Sequence, residues 1–166
     1  MDNTGRMTSP PTVRRAGPAD AAALVALRAA MIDALSTGPL DDNGWRASCE
    51  RLYRERLTPG SSEWAAYVVD GPDGVPVCGV VGWVLEHPPG PRNASPRRGY
   101  VASMSTLPHV RGRGLGRAVF AELMRWFDSI GIDQVELLAS DAGEPLYRDF
   151  GFIESKSKAM TWLRRP

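Results

Sequence analysis

Apolar residues recur along this chain at two spacings, one helical and one extended. Leu24, Leu27, Met31 and Leu35 share a face behind the helix start Pro18-Ala-Asp20, and Gly38-Pro39 breaks that helix. Trp45, Cys49, Leu52 and Leu57 give a second helix its apolar side, with Asp42-Asn43 as its cap. Leu115, Val119, Leu123, Trp126 and Ile130 mark a third helix over 115–130, strongly amphipathic, whose stripe should face a sheet. Between the helices, residues 12–16, 64–69, 75–86, 99–107 and 134–140 read as strands. The turn Asp70-Gly-Pro-Asp-Gly74 joins the second and third of these into a hairpin. A short helix follows residue 140, and 152–163 predicts one or two closing antiparallel strands. The expected order is β-α-α-β-β-β-α-β-α-β.

The prolines from Pro88 to Pro96 mark a long exposed loop, and residues 1–10, polar and small, an expected mobile N-terminal tail. No internal repeat appears. With 166 residues, 43% of them hydrophobic, the chain can bury a substantial core, and 11–166 reads as one domain. A net charge of +1 gives no reason to expect a nucleic-acid or membrane partner. With no long apolar span and no leader-like apolar core at the start, the expectation is a cytoplasmic protein. Cys49 and Cys78 lack metal-ligand spacing and should be small buried side chains, and His87 and His109 stand isolated, so no metal site is expected.

Candidate chemistry gathers at Arg111-Gly-Arg-Gly-Leu-Gly116, between the 99–107 strand and the third helix. A glycine-rich turn feeding a helix start points several backbone N–H groups at one spot, and the missing Cβ atoms let a phosphate approach. Two nucleotide fingerprints fail. Gly116 is followed by Arg117-Ala118 rather than Lys-Ser/Thr, and Gly-x-Gly-x-x-Gly breaks from either Gly112 or Gly114. The pattern that does match is Arg-x-x-Gly-x-Gly over Arg111, Gly114 and Gly116. It resembles the acetyl-coenzyme A motif of the GNAT acetyltransferase superfamily. The superfamily's Asn-x-x-Ala-x-x-Leu-Tyr and Gly-Phe signature is similar to Leu146, Tyr147, Gly151 and Phe152, with Ser140 in the Asn place and Gly143 in the Ala place. Thr106-x-Pro108 resembles its Val-x-Pro lead-in. The likeness is sharp over 99–152.

This resemblance implies an α/β, GNAT-like fold, with a mixed, mostly antiparallel central sheet flanked by helices on both faces. It implies acetyl-CoA as co-substrate, with no metal, and acetyl transfer to a primary amine by direct attack on the thioester. Backbone groups of Arg111, Gly112, Arg113, Gly114, Leu115, Gly116 and Arg117 would hold the pyrophosphate. Pantetheine would lie along Met104, Ser105 and Thr106 like an added strand, in a wedge between splayed strands. Ser140 would bond pantetheine or cap the turn at Asp141. Tyr147, a phenol with a pKa near 10, is the candidate acid for a leaving thiolate near 8.5. The base stays open among Glu86, Asp33, Asp141 and water relayed through Ser103 or Ser105. Phe150 and Phe152 should be core. Acceptors would enter between the first two helices, the 87–98 loop and the final strands, where Asp33, Asp41, Asp42 and Glu86 either attract a cationic amine or are merely solvated. The implied partner is a small-molecule or peptide amine, with homodimerisation left open. The alternative is an acyl-CoA-binding sensor without turnover. Near-zero net charge counts against an acyltransferase acting on nucleic acid.

Overall fold

The structure, a computed structural model, describes residues 11–38 and 41–164. The expected tail 1–10 and the helix-breaking Pro39 lie outside the described residues. A strand β1 (Arg14–Arg15) and a single 3-10 turn (Pro18–Asp20) lead into α1 (Ala21–Leu35) and α2 (Trp45–Arg56). Then come β2 (Trp64–Asp70), β3 (Pro76–Glu86), β4 (Arg97–Thr106), α3 (Leu115–Ser129), β5 (Val135–Leu137) and α4 (Glu144–Asp149). The sheet order is β1-β2-β3-β4-β5, antiparallel except for the parallel β4–β5 pair, which needs α3 as its crossover.

Each hairpin has a local cause. Asp73 Oδ1 accepts the Val75 N–H at 3.1 Å and Gly71 N–H donates to Val75 O at 2.7 Å, closing the β2–β3 turn. Between β3 and β4, Gly90 and Asn93 exchange backbone bonds at 2.9 and 3.0 Å, so the proline-rich loop is a structured hairpin tip.

Alternation along β2 divides the interior into two layers. Ala66 and Val68 face α1 and α2 with Leu24, Val25, Tyr53 and Leu57, while Ala65 and Val69 face α3. On α3, Leu115, Val119, Leu123 and Trp126 are buried as the stripe requires, with Phe120 and Phe127 beside them and Ile130 half-buried. The helix comes so close that a Cβ on Gly99 would stand 2.7 Å from the Phe127 ring. Phe150 and Phe152 pack on Phe120 of α3. Cys78 is buried; Cys49 is only half-buried, a correction to the expectation of two buried thiols.

Two expected strands change. The 134–140 strand shrinks to Val135–Leu137, and Leu138 is exposed. The closing strands over 152–163 are absent among the described residues, where Ile153, Met160, Trp162 and Leu163 are exposed. The intervening Glu154-Ser-Lys-Ser-Lys158 offers no alternating apolar face to hold such a strand against the sheet.

Candidate active site

The centre of the site is a fault in β4. Its register with β3 shifts, so that Val81 pairs with Ala102 and Gly79 with Ser105, leaving Ser103 and Met104 opposite Val80 alone. This is a β-bulge. Ser103 takes φ +54°, and it is the one non-glycine residue in the left-handed region among the described residues. The extra residue inverts the faces of the strand. Before it, Gly99 and Val101 face α3; after it, Met104 and Thr106 do, beneath the first turn at Gly116.

The parallel pairing with β5 runs only from Gly99–Val135 to Val101–Leu137. Beyond Val101, and so beyond the bulge, the β5 side of β4 has no strand partner among the described residues, and the two strands part. That leaves the edge of Met104, Ser105 and Thr106 facing a wedge, while the Ser105 side chain is buried on the opposite layer.

The phosphate-type loop opens where β4 ends. Leu107 N–H is fixed on Val77 O at 3.0 Å, and the Arg111 Nε donates to Thr106 O at 3.0 Å, so Arg111 braces the loop onto the strand. Gly112 and Gly114 adopt φ +75° and +77°, which only glycine takes without strain. The first N–H to find a helical acceptor is that of Ala118, on Gly114 O at 3.1 Å. Among the described residues the N–H groups of 112–117 are thus free of backbone acceptors, and a Cβ at Gly112 or Gly114 would project into open space. Leu115 is buried, so only its backbone is available. Arg113 is exposed, whereas the Arg117 guanidinium is taken up by Asp149 and lies over the Phe150 ring.

Tyr147, on α4, reaches the same wedge from the other side. Its hydroxyl stands 3.5 Å from Met104 Sδ and its ring meets Phe120 edge-on at 5.2 Å. Burial pushes its pKa up, so it remains protonated at neutral pH. Ser140 accepts from Gly143 N–H and Glu144 N–H through its carbonyl, both at 2.9 Å, and from Gly143 N–H through its hydroxyl at 3.3 Å, which is a turn cap.

Two residues of the site were missed from sequence. Arg28 on α1 donates to Ser103 Oγ at 2.5 Å, and Tyr53 on α2 donates to the same oxygen at 3.3 Å. Burial pushes the Tyr53 hydroxyl up to about 12, which keeps it a neutral donor. The signal was present, since Arg28 follows Leu24 by four positions and interrupts the apolar stripe of α1. On the same layer Trp64 stacks on Trp83 with centroids 4.7 Å apart, and Tyr100 meets Trp83 tilted at 5.0 Å. The structure does not gather the carboxylates Asp33, Asp41, Asp42, Glu86 and Asp141: all are exposed, and among the described residues none is hydrogen-bonded to Ser103 or Tyr147. No group of three His, Cys, Asp or Glu side chains among the described residues could hold a metal ion, and no helix there is long and apolar enough to cross a membrane.

A predicted acetyltransferase with acetyl-CoA from Clostridium acetobutylicum has a similar structure, 22% identical, with a TM-score of 0.78 over 95% of this chain and 96% of its own. A GCN5-related N-acetyltransferase from Ralstonia eutropha is 24% identical, with a TM-score of 0.74 over 92% and 99%. Glucosamine-6-phosphate N-acetyltransferase from Arabidopsis thaliana is 17% identical, with a TM-score of 0.69 over 94% and 100%. At these identities the likeness fixes the fold rather than the acceptor. No curated protein sequence matches the chain. The model of the Acetyltransferase (GNAT) family matches residues 30–152, three quarters of the sequence, and the chain belongs to that family.

Proposed function

We propose that residues 11–166 form one catalytic domain that transfers the acetyl group of acetyl-CoA to a primary amine by direct attack on the thioester. The observation that carries this reading is the run of free N–H groups at 112–117 lying at the end of an unpaired strand edge. Their partial positive charge, at the start of α3, suits a pyrophosphate, and the edge of 104–106 offers N–H and C=O groups to an extended amide-bearing arm.

On this reading the amine nitrogen attacks the thioester carbonyl carbon near the bulge. The C–N bond forms, the C–S bond breaks, and Tyr147 gives its proton to the leaving sulfur. The amine proton leaves to solvent, since no carboxylate among the described residues is hydrogen-bonded to Ser103 or Tyr147. Ser103 makes a poor relay for it. Its oxygen already accepts from Arg28 and Tyr53, which occupies both lone pairs and leaves only its O–H to donate. The missing carboxylate is also what favours the alternative, a sensor that binds acyl-CoA without turnover.

Calorimetry with CoA tests the cradle. Gly114→Ala carries the left-handed strain at φ +77°, about 1–2 kcal/mol, with little added bulk. Gly114→Val adds bulk and, being β-branched, more strain, so both are checked for folding by urea unfolding. Val should weaken CoA binding well beyond Ala in folded protein; equal affinity in both and in the parent would reject the site. Release of free thiol from acetyl-CoA on adding amines separates enzyme from sensor.

A further inference from the structure

We propose that the acceptor amine carries an oxyanion, carboxylate or phosphate, seated on Arg28 and Ser103. This rests on the acetyltransferase reading and names the substrate class for that site. The cluster offers only donors. Arg28 spends one N–H on Ser103 Oγ, and among the described residues it has no acidic partner. A half-buried guanidinium without a counter-ion is costly, and an arriving oxyanion supplies one. Ser103, with both lone pairs filled, has a single O–H left to give, again to an acceptor oxygen. Tyr53 is held neutral by its burial and adds no negative charge.

The seat also lies at the right place. Ser103 is the immediate chain neighbour of Met104, so the residue that Arg28 holds is adjacent in sequence to the wedge edge. On the acetyltransferase reading, an amine a few bonds from an anion held there is directed toward the edge of 104–106. The exposed acids Asp33, Asp41, Asp42 and Glu86 offer a cationic acceptor no comparable built contact.

The test uses matched amines that differ only in the anion: L-phenylalanine against phenethylamine, and O-phosphoethanolamine against ethanolamine. Binding is measured by calorimetry on free and CoA-loaded protein, and kcat/KM by thiol release. At least one anion-bearing member should be preferred over its partner lacking the anion by about 10- to 100-fold, the range of a hydrogen bond to a charged group. Arg28→Gln should collapse that ratio through KM, Arg28→Lys should keep part of it, and the exposed Arg54→Gln should leave it intact. CoA affinity should hold in every variant. Equal binding of both members of both pairs, their failure to bind included, overturns the proposal, as does a loss in Arg28→Gln that leaves the ratio unchanged. Failure of CoA itself to bind is a separate result, and it strikes the acetyltransferase reading instead.

Discussion

Replacing Tyr147 by Phe separates a proton donor from a packing ring, because the structure assigns its two parts to different neighbours. The ring meets Phe120 edge-on at 5.2 Å and Phe152 at 6.1 Å, and Phe keeps both contacts. Only the hydroxyl touches Met104 Sδ, at 3.5 Å, a weak bond to sulfur. Its loss should change folding stability by no more than about 0.5–1 kcal/mol. Loss of general-acid help slows chemistry by about 10²–10⁴-fold, which is roughly 2.7–5.5 kcal/mol on the barrier. The two magnitudes do not overlap, so the variant decides. With enzyme in excess, single-turnover thiol release from acetyl-CoA reads the chemical step without product release, urea unfolding reads stability, and calorimetry reads CoA affinity. Because burial raises the Tyr147 pKa, the acid form persists to at least the ordinary phenol value near 10, and any alkaline decline in rate should lie above it and vanish in the Phe variant. A chemical rate within about threefold of the parent, at unchanged CoA affinity, would refute the assignment.

Two further outcomes test the scaffold. Gly99→Ala drives a Cβ to within 2.7–2.9 Å of the Phe127 ring and should cost about 1–3 kcal/mol in urea unfolding; Phe127→Leu in that background should recover part of it, whereas additive losses would deny the contact. Asp20 accepts two bonds from Arg14, at 2.7 and 2.9 Å, while the same guanidinium grips Asp70, and this holds the Asp20 carboxyl below its ordinary value. A depressed carboxyl contributes stability that is present above about pH 4–5 and lost as pH falls through its folded value. Asp20→Asn should therefore lose about 1–2 kcal/mol at pH 7, discounted for the partial exposure of Arg14, and its stability should fall less steeply with acid than the parent's; parallel acid curves would contradict the pairing.

How much of this was legible from residues alone depended on how loudly each element spoke. The α3 stripe spans four turns with one side apolar, and the observed helix buries it as read. The β2–β3 hairpin announced itself through Asp70-Gly-Pro-Asp-Gly74, because turn chemistry is local. The glycine loop was legible because its φ values are glycine's own. The closing strands expected over 152–163 are absent among the described residues, because the polar stretch 154–158 supplies no period, and Ile153, Met160, Trp162 and Leu163 stand exposed.

What remained hidden was tertiary in origin. Nothing in Tyr-Val-Ala-Ser-Met-Ser-Thr distinguishes a straight strand from a bulged one, because Ala102, Ser103 and Ser105 are small enough to suit either layer. The bulge is decided by what stands across the sheet. Arg28 and Tyr53 converge on one hydroxyl, and only the extra residue lets Ser103 face them while Met104 turns toward Tyr147. One inserted position therefore has two consequences. It lies just past the last β4–β5 pair, Val101–Leu137, where the wedge opens, and it directs Ser103 toward Arg28 and Tyr53 in the opposite layer. A sequence read strand by strand sees an apolar run and a stray arginine on a helix. Their connection exists only where α1 crosses β4, a tertiary contact that no local spacing encodes.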